Sequence, residues 1–120
     1  IFYEPESTVI ETRKTVVRIG AIQWQMREVD SVEEMLKQVE YFIDALSSYK
    51  SDFALFPEFF NAPLMGLSPN QRNQTAAIRF VAGFTERFTN EMSQLAVSYN
   101  INVITGSLPL VEDDLLYNVS

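Results

Sequence analysis

The sequence contains no cysteine and no histidine, and each absence excludes a class of chemistry. Without cysteine, these 120 residues hold no disulfide, no thiolate ligand for a metal and no thiol nucleophile. Without histidine, they lack the commonest general base and metal ligand, and every Ser-His-Asp arrangement is excluded. A serine nucleophile would need a lysine partner instead, and no spacing in the sequence singles one out.

Positive charge is also scarce, since 9 Lys and Arg face 16 Asp and Glu for a formal net charge of -7. This balance disfavours nucleic acids and anionic membranes as partners, because both are bound through cations. No apolar run approaches the ~20 residues of a membrane span, and the N-terminus lacks the basic and apolar regions of a signal peptide. No G-x-G-x-x-G or Walker pattern occurs, so we expect no nucleotide cofactor. We therefore expect a cytoplasmic protein without a nucleic-acid or membrane partner.

The apolar pattern predicts an α/β fold over residues 15–120, preceded by a lead-in or linker at residues 1–14 that has no clear period. The predicted strands cover residues 16–24, 53–56 and 101–106, and we expect the first of them to be buried. A capping-box pattern at Ser31 opens a helix with a continuous apolar stripe. Strand–helix alternation of this kind predicts a βαβαβ start with parallel strands and right-handed crossovers.

Two further features qualify this outline. Gly20 lies inside the first strand, which indicates close approach by a neighbouring group. Two apolar runs flank Glu112, Asp113 and Asp114 and predict a hairpin that adds an antiparallel edge to the same sheet. Such carboxylates are ligands for Mg²⁺ or Ca²⁺, but successive residues cannot all point at one ion. We interpret them as the solvated tip of the hairpin and predict no metal site.

The stretch Asp-Phe-Ala-Leu-Phe-Pro-Glu-Phe-Phe at residues 52–60 is the best candidate for chemistry. Its Glu58 follows a predicted parallel strand, and the carboxyl ends of such strands carry the sites of open α/β sheets. The neighbouring phenylalanines are expected to remove water from the carboxyl group and so raise its pKa toward the value a general base needs. The alternative is structural: Pro57 and Glu58 only end the strand, and the carboxylate faces water.

Four segments, taken in order, resemble the N-terminal half of the nitrilase, or carbon–nitrogen hydrolase, superfamily. They are residues 17–24, the Asp-(apolar)-Pro-Glu motif at 52–58, residues 103–107 and the Leu-Tyr-Asn at 116–118. The resemblance covers about residues 15–120 and implies an α-β-β-α sandwich and assembly into homo-oligomers. The lead-in is similar to the junction in family members that carry an acetyltransferase-like domain upstream.

The resemblance also implies a Glu-Lys-Cys triad, in which a cysteine thiolate attacks an amide or nitrile carbon of a small-molecule substrate. The lysine steadies the oxyanion, and the glutamate takes the thiol proton and later activates water. By motif match Glu58 is that glutamate, and Phe59, Phe60, Asn61 and Met65 are predicted to line the substrate pocket. In the family the lysine and cysteine lie downstream of the Tyr-Asn segment. We therefore predict that the 120-residue chain alone is inactive. We also predict that the parent protein is amidase-like.

Two other interpretations remain open at this point. A non-catalytic interaction module of the receiver or flavodoxin kind shares the βαβαβ start. It would need a carboxylate cluster or a phosphate-binding loop after the first strand, and residues 23–27 provide neither. An inactive, truncated hydrolase that joins oligomers is the third interpretation. The end of the chain inside a predicted strand favours a fragment over a naturally short protein, because it would leave an open sheet edge.

Overall fold

Three short parallel strands form the sheet of this protein, for which a computed structural model describes residues 16–120. They are β1 (Ile19–Ala21), β2 (Phe53–Leu55) and β3 (Asn102–Ile104), in the order β1-β2-β3. The register is continuous, since Ile19 pairs with Phe53 and Phe53 pairs with Asn102. The predicted parallel arrangement is confirmed, although each strand is shorter than predicted. The predicted lead-in at residues 1–14 lies outside the described residues.

Helices supply both crossovers. Helix α1 (Val32–Ser48) joins β1 to β2, whereas a 3₁₀ helix (Ala62–Leu67), α2 (Gln74–Ala82) and α3 (Thr85–Ser98) lie between β2 and β3. The predicted N-terminus of α1 is confirmed: the Ser31 hydroxyl accepts a hydrogen bond from the backbone N–H of Glu34. The apolar stripe of this helix is buried at Val32, Met35, Val39 and Ile43.

Helices α1 and α3 lie side by side on one face of the sheet. The Arg87 guanidinium of α3 donates to Glu33 of α1 at 2.8 Å, and the Tyr99 hydroxyl donates to Glu40 at 2.8 Å. Gly20 allows α1 to approach β1, because a Cβ at that position would lie 2.3 Å from the Leu46 Cδ2 atom. The close approach that the sequence predicted for Gly20 is therefore confirmed.

The opposite face of the sheet has no cover within residues 16–120. Ile19 is 64% exposed, Leu55 is 38% exposed and Ile104 is 48% exposed, and the register places all three on this face. The prediction of a buried first strand is thus wrong for β1 within the described residues. The physical reason is that both crossover helices pack on the same face, so only the residues facing them, such as Gly20 and Ala54, are covered.

The predicted hairpin is confirmed, but it does not extend the parallel sheet. Strands β4 (Leu108–Glu112) and β5 (Leu115–Val119) pair with each other as a separate two-stranded sheet. Their two-residue turn has positive φ at Asp113 (52°) and Asp114 (66°), which matches the twist of a tight hairpin. Strand β4 packs against α2 and α3, where the buried Thr85 hydroxyl donates to the Pro109 carbonyl. This packing directs the hairpin away from the edge of β3.

Aromatic rings fill the core between the sheet and the helices. Phe60 packs edge-on against Trp24 and Phe88, with ring centroids 6.0 and 5.8 Å apart, and lies 5.1 Å from Phe56. Phe56, Phe60 and Phe88 have almost no exposed surface. Among residues 16–120, every helix is too short or too polar to cross a membrane.

Candidate active site

Glu58 lies just beyond the carboxyl end of β2, the central strand of the parallel sheet. This is the position at which open α/β sheets place their functional groups. The Glu58 side chain is exposed, and within residues 16–120 no hydrogen bond or ion pair holds its carboxylate. We expected the neighbouring phenylalanines to bury the Glu58 carboxyl group. They do not, because the side chains of Phe56 and Phe60 point into the core. The carboxylate is therefore open to a reacting group.

The backbone around Glu58 is fixed from one side by the connection between β3 and β4. The Phe56 N–H donates to the Ile104 carbonyl at 2.9 Å, and the Phe59 N–H donates to the Ser107 carbonyl at 2.9 Å. These two bonds lie on either side of Glu58 in the sequence. The turn that presents the carboxylate is thus held at both ends by one neighbouring segment.

Gly106 makes this close contact sterically feasible. Its φ of +72° lies in the left-handed region that favours glycine. A Cβ at residue 106 would lie 3.1 Å from the Glu58 Cα atom, 3.2 Å from the Glu58 nitrogen and 3.3 Å from the Pro57 carbonyl carbon. All three neighbours are backbone atoms, which cannot rotate away as the end of a side chain would.

Phe59 follows Glu58 with a φ of 51°, which is unusual for a bulky residue. The left-handed conformation costs an L-residue about 1–2 kcal/mol, so the surrounding contacts must hold it in place. Such strain clusters at functional sites. Phe59 directly follows the candidate base Glu58. The backbone geometry of Phe59 therefore affects the direction of the Glu58 carboxylate.

The predicted pocket residues fall into two groups. Phe59 and Met65 are half-buried and pack against the edge of the core, so part of each side chain is accessible. Phe60 and Asn61 have no exposed surface in the described residues. Phe60 belongs to the aromatic cluster, and it supports the site from within the core.

Two side chains near this edge carry buried polar atoms that have no hydrogen-bond partner within residues 16–120. They are Asn61, for which both amide atoms are unpaired, and Ser107, whose hydroxyl oxygen is unpaired. Folded proteins rarely leave buried polar groups without a partner. We infer that water or a segment outside the described residues completes these bonds.

A cavity of about 440 Å³ lies elsewhere, between the chain after β1 and helix α1. Trp24 and Phe42 form its apolar wall, and Arg27, Glu34 and Lys37 are among its polar residues. None of its lining residues belongs to the stretch from Glu58 to Met65. The candidate site at Glu58 is therefore separate from this cavity, and it is defined by the exposed carboxylate and the fixed turn.

Comparison with known proteins shows which family the chain belongs to. The model of the family described as carbon-nitrogen hydrolase matches residues 18–120. The chain belongs to the carbon-nitrogen hydrolase family. This assignment confirms the resemblance to the nitrilase superfamily and sets aside the receiver-like and flavodoxin-like interpretations.

One similar protein is described as "Probable hydrolase YhcX" of Bacillus subtilis (strain 168). It is 39% identical to this carbon-nitrogen hydrolase chain over 104 residues. The matched region covers 87% of the chain but only 20% of the relative. The chain thus spans about a fifth of the length of the curated protein it matches.

Sequence reasoning found Glu58 but missed the residues that hold it. Gly106 appeared only at the end of a predicted strand and Ser107 only within the segment 103–107, although the structure places both against the turn of Glu58. A glycine shortly after an apolar run, between two small polar residues, is a weak signal of a sharp turn. It does not reveal which distant segment the turn contacts.

Proposed function

We propose that the complete protein hydrolyses a non-peptide C–N bond of a small molecule, an amide rather than a nitrile, and that Glu58 is the general base. The observation that carries this proposal is an exposed carboxylate at the carboxyl end of the central parallel strand, in a chain that belongs to the carbon-nitrogen hydrolase family. The fixed backbone on both sides of Glu58 supports the same role, because a general base must be held within hydrogen-bond reach of its proton.

In the proposed reaction, Glu58 takes the proton of a cysteine thiol as the sulfur attacks the substrate carbonyl carbon. A lysine stabilises the charge on the carbonyl oxygen, and the proton passes to the departing amine as the C–N bond breaks. Water then attacks the thioester as Glu58 accepts a proton from it, and the C–S bond breaks to release the carboxylic acid. The proton on Glu58 returns to the cysteine sulfur. The proposed cysteine and lysine belong to the part of the protein beyond these residues, so we propose that the 120-residue chain alone is inactive.

We propose that Phe59 and Met65 form one wall of the substrate pocket, with Asn61 and Phe60 behind them. Partial exposure of Phe59, which directly follows Glu58, and of Met65 supports this arrangement. Their apolar and polarisable surfaces suit an uncharged part of a substrate. Substrate specificity would depend equally on the residues around the lysine and cysteine.

We further propose that the uncovered face of the sheet packs against a second sheet, giving an α-β-β-α sandwich. The exposed apolar side chains of Ile19, Leu55 and Ile104 support this, because such a patch is costly in water. A cytoplasmic location is a proposal that follows from the composition of the sequence. A homo-oligomeric state and an upstream acetyltransferase-like domain are proposals that follow from the resemblance alone.

The decisive experiment is Glu58→Gln in the complete protein, assayed on a panel of small amides and nitriles. We expect kcat to fall about 10²–10⁴-fold, the usual contribution of a general base, while the midpoint of thermal unfolding stays unchanged. The control is Glu86→Gln, which makes the same chemical change at an exposed glutamate of α3. Undiminished turnover by the Glu58 variant would refute the assignment.

A second experiment tests the incomplete triad. The 120-residue chain is purified and assayed on the same panel, and we expect no hydrolysis above that of buffer. Measurable turnover that Glu58→Gln abolishes would contradict the requirement for a cysteine outside these residues.

A further inference from the structure

We propose that Gly106, together with the Ser107 carbonyl, positions the Glu58 carboxylate for catalysis. The proposal rests on the proposed role of Glu58 as general base and adds a positioning residue from a distant part of the chain. Neither residue touches a reacting atom in this scheme. Their effect on the reaction passes entirely through the backbone of the turn at Glu58.

The first argument is steric. Gly106 brings its backbone so near to Pro57 and Glu58 that even a methyl group would lie at 3.1–3.3 Å from three of their backbone atoms. Contacts this short require the neighbour to give way by a few tenths of an ångström. Since the neighbour is the backbone of Glu58 itself, any side chain at residue 106 displaces the origin of the carboxylate.

The second argument is the pattern of hydrogen bonds. Residues 56 and 59 donate to residues 104 and 107, so the two bonds bracket both Glu58 and its contact with Gly106. The bond from Phe59 also stabilises the left-handed φ of that residue. Displacement of Glu58 therefore cannot be absorbed by free movement of the flanking residues, and it appears as a change in the direction of the carboxylate.

The third argument is conformational. Gly106 has a left-handed φ, so two different requirements for glycine coincide at this position. Asparagine tolerates left-handed φ better than alanine does, but both residues carry a Cβ. Comparing these two substitutions separates the demand for φ, which affects folding, from the demand for space, which affects Glu58.

The experiment compares Gly106→Ala and Gly106→Asn in the complete protein, with kcat and KM measured per folded molecule. We expect both variants to lower kcat about 10–100-fold, because small misplacement of a catalytic group has effects of this size, with KM within about threefold. We expect Gly106→Asn to unfold at a higher temperature than Gly106→Ala. The control is Gly66→Ala, since a Cβ at Gly66 meets nothing within 4 Å.

A double-mutant cycle supplies a readout that a merely structural role would not move. In the Glu58→Gln background, a residue that acts through the carboxylate has nothing left to position. We expect Gly106→Asn to lower the residual kcat by less than about threefold there. An unchanged effect of Gly106→Asn in both backgrounds would overturn the proposal.

The outcomes are separable. If Glu58→Gln keeps full activity, the proposed function fails, and the positioning role fails with it. If Glu58→Gln is inactive but a folded Gly106 variant keeps wild-type kcat, only the positioning role is overturned. If neither Gly106 variant folds, glycine is required for the fold and the positioning role is rejected.

Discussion

The two ends of the parallel sheet differ in how completely their polar groups are paired. At the amino end, the Asp52 carboxylate accepts from the Arg18 N–H at 2.8 Å, and the Asp52 carbonyl accepts from both nitrogens of Asn102. At the carboxyl end, Glu58 is exposed, and buried polar atoms of the Asn61 and Ser107 side chains have no hydrogen-bond partner within the described residues. One end joins three strands together, whereas the other leaves polar groups free for further contacts.

This contrast separates two acids of the same sequence motif. Asp52 opens the motif and Glu58 closes it, yet the first is committed to backbone hydrogen bonds and the second is available for a reaction. If Glu58 has the proposed role, stability and chemistry depend on opposite ends of one short strand. Four experiments test how far this division holds, beginning with the largest expected effect.

Phe60→Ala tests whether all residues at the carboxyl end serve the reaction. Phe60 is fully buried among Trp24, Phe56 and Phe88, so we expect the free energy of unfolding to fall by about 3–5 kcal/mol. Phe59→Ala, at the half-exposed neighbour, should cost much less stability and should instead raise KM. Urea denaturation and steady-state kinetics measure the two effects. Equal losses of stability would show that Phe59 is a core residue as well.

Asn61→Leu tests whether the unpaired amide at the carboxyl end has a partner in the complete protein. If it does, loss of the buried hydrogen bonds should lower the free energy of unfolding by about 1–3 kcal/mol. Denaturant unfolding of the complete protein gives this value. A gain in stability would mean that the Asn61 amide has no partner in the complete protein. The two ends of the sheet would then differ more in exposure than in their contribution to the free energy of unfolding.

Asp52→Asn and Glu58→Gln make the same chemical change at the two ends. We expect Asp52→Asn to lower the free energy of unfolding by about 1–2 kcal/mol, because a charged acceptor bonds more strongly than a neutral one. Glu58→Gln should change it by less than about 0.5 kcal/mol, as is usual at exposed positions. Thermal unfolding of both variants provides the comparison. A larger loss at Glu58 would reverse the division between the ends.

Arg87→Gln provides a reference for an ion pair that belongs to neither end. The hydrogen bond from Arg87 holds the pKa of Glu33 below its ordinary value. The contribution of Glu33 to stability is therefore present above its unfolded-state pKa and lost as the pH falls through its folded-state pKa. We expect Arg87→Gln to return the Glu33 pKa toward the ordinary value, as measured by NMR titration. Lys37→Gln, one turn along α1, should leave it nearly unchanged.

Local features of the fold were predictable from the sequence. The Ser31 cap and the buried stripe of α1 depend on residues near one another in the chain. A glycine inside an apolar run indicated the close approach at Gly20, although not its partner Leu46. The parallel order of the strands followed from the alternation of strands and helices. The position of Glu58 after β2 followed from the apolar run that ends at Pro57.

Features that depend on distant packing were not predictable. The hairpin pairs correctly, but its separation from β3 depends on the contact of Thr85 with Pro109, which no local pattern encodes. The exposure of Glu58 follows from where Phe56 and Phe60 point in three dimensions. The contact between Gly106 and Glu58 joins two segments that lie far apart in the sequence.

The hydrogen bonds from residues 56 and 59 to residues 104 and 107 also imply an order of events in folding. Their formation closes the loop that contains the 3₁₀ helix, α2 and α3, and closing a long loop costs entropy before any contact compensates for it. The unit of β1, α1 and β2 can form earlier, because its contacts are closer in sequence. We therefore expect the turn of Glu58 to acquire its final geometry only when the β3–β4 segment arrives, so that the proposed general base is among the last parts of this region to be ordered.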